Sequence, residues 1–185
     1  MQFLMDLWLP ILLSGLAVFV LSALAWMVLP HHRKEWQPFP NEDAVMNAVR
    51  SGNPQPGLYH FPHADDPKAM QSVEFQTKMN AGVVAFVTVM AHAGRNMGAT
   101  MAKSLLGNII VSVFVAYVAS LALQPGADYM TVFRLTSTVA FMAYGLGQIP
   151  ESIWFGRPWK AFFFGAIDAL AFALVTGGIF GWRWV

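Results

Sequence analysis

Apolar residues in this chain gather into four long runs, divided by polar or proline-rich stretches. Leu7–Leu29 is 23 residues without a charge. A hydrocarbon core about 30 Å thick needs roughly 20 residues of helix, so this run is long enough to span. Trp8 and Trp26 stand near its ends, where interfacial aromatics sit. Ser104–Leu123 is a second run of twenty residues, closed by Pro125-Gly126. Val132–Ile149 is a third, of eighteen, with Arg134 near its start and Pro150-Glu151 after its end. Trp159–Trp184 is the fourth. The pattern predicts an all-α membrane protein, a four-transmembrane-helix bundle. Helix 1 lies within 1–30, a polar insert covers 31–103, and a three-helix core covers 104–185.

The fourth run has a pattern of its own. Ala161, Gly165, Ala169, Ala173, Gly177 and Gly181 recur every four residues. On a helix that step lines up a shallow groove against which another helix packs closely, a main source of helix association in lipid. Phe163, Ile167, Leu170 and Leu174 cover the opposite side. One acid, Asp168, interrupts the run; at about 100° per residue it lies about 60° from Gly165, on the groove side. The segment therefore reads as a spanning helix whose single charge faces protein.

The first run needs one further test. Ala23-Leu24-Ala25 has the form of a signal-peptide cleavage site. No positive charge precedes the run, however, and it is too long for a signal sequence, so it is read as a retained anchor. After Pro30 the insert begins with His31-His32-Arg33-Lys34. Within it, Asn41 is placed to cap a short helix over Glu42–Arg50 that ends before Gly52. Pro54, Pro56, Pro62 and Pro67 punctuate the chain. Gly57–Phe61 reads as a strand. Gly82–Met90 is β-branched, flanked by glycine and too short to span, so it reads as a second strand that either pairs near Tyr59 or dips into the membrane interface. The insert is thus expected to hold a short helix and a small β-hairpin, with Gly94–Gly98 a turn into the next span.

Only 11% of residues are charged, against about 25% in a soluble domain, which agrees with the membrane class. The formal net charge of +1 gives no basis for nucleic-acid binding. The absence of cysteine excludes disulfides, thiolate catalysis and cysteine-ligated zinc. Of the Lys and Arg residues, nine fall in the insert and in the loop after the third span. Arg134 and Arg183 alone fall on the other side. The excess marks the cytoplasmic side, which puts both termini on the outer side of the membrane.

Three groups of residues have the types needed for chemistry. Asp168, Tyr144, Asn108, Ser112 and Gln148 are placed to form an intramembrane polar layer. Asp168 is about 12 Å past Lys160 along its helix, and a buried carboxylate needs a partner. The expectation is that Tyr144 or Ser112 supplies it, since no basic residue lies at that depth in the spans. His60 and His63, beside Asp65 and Asp66, offer metal-ligand types, but Pro62 breaks their spacing and solvated loop histidines are the expectation there. His31, His32 and His92 are read in the same way. Arg95 and Lys103 suit a lipid head-group contact or a topology signal; the glycine spacing does not fit a phosphate loop.

Ile153-Trp154-Phe155-Gly156-Arg157-Pro158-Trp159-Lys160, followed by an apolar helix with one acid and a Gly-Trp end, resembles a group of small uncharacterised bacterial membrane proteins with four predicted spans. The likeness is greatest over 126–182. It implies a bacterial cytoplasmic membrane and brings no activity or catalytic residue.

No complete catalytic set and no cofactor motif is present, so the expectation is a non-enzymatic, accessory or structural membrane protein. Its partners would be the lipid bilayer and other membrane subunits or a second copy. The alternative is a small transporter or channel with a polar site around Asp168.

Overall fold

The computed structural model describes residues 2–91 and 96–185. In chain order the elements are α1 (Gln2–Asp6), α2 (Trp8–Met27), α3 (Glu42–Ser51), β1 (Gly57–Phe61), α4 (Val73–Asn80), β2 (Ala85–Val89), α5 (Met97–Ala122), α6 (Tyr129–Tyr144), α7 (Ile149–Trp154) and α8 (Trp159–Trp182). Three of them, α2, α5 and α8, are long and apolar enough to cross a membrane. The chain divides into two compact units, 1–37 together with 96–185, and 38–95. Residues 31–37 and 96–103, read from sequence as insert, belong to the first.

In the first unit α6 packs along α8, and α2 packs on α5 and α8. The small-residue stripe explains the α6–α8 contact. A Cβ built on Gly177 would lie 2.9 Å from the Phe133 carbonyl oxygen and from Ser137 Cβ; one on Gly181 would lie 2.8 Å from the Tyr129 ring. Ala169 and Ala173 are each 1% exposed. The groove is therefore filled by the chain's own α6. Gly145 completes the match from the other side, since a Cβ there would meet Ala169 Cβ at 3.2 Å. Leu7, Ile11, Val115, Ala116, Val132, Ala140, Ala173 and Phe180 form the buried apolar cluster. At the end of the unit that holds the chain termini, Trp184 Nε1 donates to the Gln124 carbonyl at 3.0 Å and Phe3 packs on Tyr117.

Two boundaries differ from the sequence reading. α5 begins at Met97 rather than Ser104, because Asn96 caps it, its Oδ1 accepting from Ala99 N–H at 3.1 Å. Met97 and Gly98 are therefore helical; Gly94 and Arg95 lie outside the described residues. The third apolar run is not one helix to Ile149. α6 stops at Tyr144, a single 3-10 turn covers Leu146–Gln148, and α7 starts with Pro150 in its first turn. Proline has no N–H to donate and is tolerated at a helix start, so it opens a new helix here.

In the second unit β1 and β2 pair antiparallel, Gly57 opposite Val89 and Phe61 opposite Ala85. The pairing is the one expected, but the connection is long and carries α4, so the two strands are not a tight hairpin. Ser72 Oγ caps α4 by accepting from Phe75 N–H. Asn41 precedes α3 without a side-chain cap bond; Glu42 and Asp43 instead set negative charge at the positive end of the helix dipole.

Candidate functional site: a histidine–carboxylate cluster on the last helix

Pro30 stops α2, and the chain turns twice on itself. Arg33 N–H bonds to the Pro30 carbonyl and Glu35 N–H to the His32 carbonyl. These turns fold residues 31–35 against α8. His32 is 3% exposed. Its Nε2 lies 2.7 Å from Asp168 Oδ2, and its Nδ1 lies 2.5 Å from Glu35 Oε1. His31 Nε2 lies 3.0 Å from the other carboxylate oxygen, Asp168 Oδ1. Both acids are largely covered, with side chains 12% and 8% exposed for Asp168 and Glu35.

The rings are held from several sides. Trp26, in the last turn of α2, stacks flat on His32, with centroids 4.0 Å apart and planes 1° from parallel. Phe164, one turn before Asp168, presents its edge to both imidazoles. Arg157 arrives from the loop before α8, where Gly156 takes a φ of +71° that a side chain would disfavour. Its guanidinium lies 3.8 Å from Glu35 Oε2 and donates to Gln148 Oε1 at 2.9 Å. Gln148 Nε2 in turn donates to the Tyr144 carbonyl.

The hydrogen-bond inventory favours one charge state when both carboxylates are ionised. An ionised carboxylate only accepts. With one carboxylate on each ring nitrogen, His32 satisfies both only as the doubly protonated imidazolium. Burial alone would lower its pKa, but the hydrogen bonds to Asp168 and Glu35 outweigh burial and raise it above 6.5. His32 and Arg157 then balance Asp168 and Glu35, as partly buried charges require.

The polar layer expected from sequence does not form as one group. Asp168 is partnered by His31 and His32, not by Tyr144 or Ser112. The expectation that no basic residue reaches its depth is corrected: the loop after α2 folds back to it. The Ser112 and Tyr144 side chains interact with each other, and neither hydroxyl reaches Asp168. Tyr144 packs edge-on against Phe172. Gln148 sits over Gly165, whose Cβ position is 2.9 Å from Gln148 Oε1, and serves Arg157. Asn108 is half-buried on α5.

Reading His31 and His32 as solvated loop histidines is likewise corrected. His60 and His63 do approach one another at 3.0 Å, and His63 reaches Asp65, but the group is open to solvent. His92 and Arg95 lie outside the described residues. Glu35, Arg157 and Trp26 were not singled out from sequence as site residues. The signal that points to them is the lone acid itself, which demands cations near its helix start. In comparisons with protein-family models, curated proteins and solved structures, nothing matches this chain.

Proposed function

We propose that the chain is a non-enzymatic integral membrane protein with four crossing segments, a scaffold that carries a polar module on the cytoplasmic side. Both termini lie on the outer side of a bacterial inner membrane, and the protein belongs with the small four-span proteins that share its IW-x-GRPWK segment. The observation that carries this reading is the stripe on α8, already filled by α6, which makes the bundle complete without a partner helix at that face. Two further facts support it. The α2 exit, the α8 start and Gln148, in the turn after α6, converge on one cluster. The residues leading into α2, the end of α5 and the segment after α8 line one pocket, including Phe3, Tyr117 and Trp184. That arrangement suits antiparallel crossings. α6 is the shortest of them, about 24 Å for its 16 residues.

The chain has no cysteine, so single-cysteine labelling runs on its own background. An impermeant maleimide added to intact cells is expected to label Gln124→Cys and to leave Ser51→Cys and Glu151→Cys unlabelled until the membrane is opened. Labelling of Gln124→Cys and Glu151→Cys from the same side means that α6 does not cross, and the four-span reading fails.

A second reading, a small transporter or channel, is favoured by the cluster of ionisable groups at Asp168. It predicts a flux in reconstituted vesicles that is lost in Asp168→Asn while the fold survives.

A further inference from the structure

We propose that His31, His32 and Asp168 bind one divalent transition-metal ion of the zinc type. The donor atoms, two imidazole Nε2 and a carboxylate oxygen, lie within 4.8 Å of one another. Zinc bonds of 2.0–2.2 Å in a tetrahedron set donors about 3.4 Å apart. His32 Nε2 and His31 Nε2 lie 2.7 Å and 3.0 Å from separate oxygens of the Asp168 carboxylate, and no separation in the set exceeds 4.8 Å. Small side-chain shifts therefore admit the ion. Imidazole with carboxylate suits zinc, iron, nickel and copper(II), while magnesium and calcium take all-oxygen sets.

Glu35 makes this more than three neighbouring ligands. It holds Nδ1 of His32 at 2.5 Å and is itself approached by Arg157. A carboxylate on the far nitrogen of a ligating histidine fixes the tautomer and raises the ring's basicity. Here it keeps the Nδ1 proton in place and leaves Nε2, which faces Asp168, as the ligating nitrogen. On binding, the metal replaces the proton that Nε2 carries, and that proton leaves to solvent. The stacked Trp26 and the edge of Phe164 restrict the ring to the orientation that binding needs. His60, His63 and Asp65 are the contrast: His63 and Asp65 side chains are 60% and 95% exposed.

Three protein donors leave a tetrahedral ion one open position. His31, Lys34, Glu35, Lys160 and Phe164 line a cavity of about 430 Å³ beside the cluster. Water or a small anion drawn by the two lysines is the chemistry suited to that position. The proposal does not rest on the scaffold reading, because all its residues lie in one compact unit whether or not α6 crosses a bilayer.

The test uses the full chain, expressed without a polyhistidine tag, purified in detergent and stripped with EDTA. Zn²⁺ is titrated against a chromophoric chelator, and Co²⁺ is followed by visible absorption. The expected result is about one ion per chain, with the intense absorption of a tetrahedral Co²⁺ site. Glu35→Gln is expected to weaken Zn²⁺ binding about 10–100-fold, and Asp168→Asn at least as much. His31→Ala is the variant that keeps the test decisive. It leaves the His32–Asp168 pair intact, so its folding is expected to persist, with affinity down by at least about tenfold. The double variant His60→Ala/His63→Ala is expected to bind like wild type. Wild type that binds no stoichiometric ion overturns the proposal. So does a folded His31→Ala with unchanged affinity, or loss of binding in the His60/His63 variant.

Discussion

His32 Nε2 stands 2.7 Å from Asp168 Oδ2, across 136 positions of sequence. This contact joins the first apolar helix to the last through charge, where the rest of the bundle is joined by packing. His32→Ala leaves two carboxylates facing a void with no proton between them. Breaking a buried pair in this way costs about 3 kcal/mol. Asp168→Asn is milder, about 1–2 kcal/mol, because the amide still accepts from one histidine and donates to the other in its neutral form. Melting temperatures in detergent with EDTA are expected to fall most in His32→Ala and less in Asp168→Asn; equal melting of His32→Ala and wild type would refute a stabilising role for the His32–Asp168 pair.

The raised pKa of His32 gives metal-free protein a pH dependence of known sign. The groups facing the ring are Asp168 from α8 and Glu35 and His31 from its own loop, with Arg157 behind Glu35. A raised folded-state pKa contributes stability that is fully present below the unfolded value near 6.5 and is lost as pH rises through the folded value. Melting in EDTA should therefore decline as pH rises from about 6 through the raised folded-state value. His32→Ala should flatten that slope, and a slope of the opposite sign in wild type would contradict the assignment.

The glycines of α8 are not equivalent. At Gly177 an added methyl meets the Phe133 carbonyl, a backbone atom that cannot swing away; at Gly165 it meets the flexible Gln148 side chain. Gly177→Ala is expected to destabilise by about 1–3 kcal/mol, the usual range for an overpacked core. Gly165→Ala should cost less, because Gln148 can move. The comparison is a pair of denaturation curves, and a larger loss at Gly165 would mean that α6 does not fill the stripe.

Arg157 serves two partners, Glu35 and Gln148, with separate nitrogens of one planar group. Lysine has a single ammonium and cannot match that fork. Arg157→Lys is accordingly expected to lose about 1 kcal/mol. Arg157→Lys combined with Gln148→Ala should lose little more than the first change alone. A double-mutant cycle measures this coupling, and strict additivity would show that the two residues do not cooperate.

Much of this architecture is legible in the residues themselves. The four-residue spacing of small side chains on the last run announces close packing, and α6 lies in that groove. The β-branched Gly82–Met90 stretch announces a strand, and it pairs with Gly57–Phe61 as its flanking turns suggest. The site is less legible. Asp168 is conspicuous as a charge in an apolar helix, but its partners are set by how far the chain folds back after Pro30. Periodicity carries no information about such a turn. His31 and His32 look like part of a basic topology signal, and only the tertiary fold removes His32 from water. Arg157 is hidden in the same way, since its charge alone fits the positive-inside pattern. The break at Gly145 escapes notice because hydropathy continues across it.

The flat stack of Trp26 on His32 gives the molecule a built-in optical probe. An indole pressed against an imidazole senses whether that ring carries a proton, a metal ion or neither. Its emission can be separated from that of the other tryptophans by subtracting the spectrum of Trp26→Phe. Occupancy of the cluster then becomes visible without a label, in detergent or in vesicles, and on the timescale of a rapid-mixing experiment.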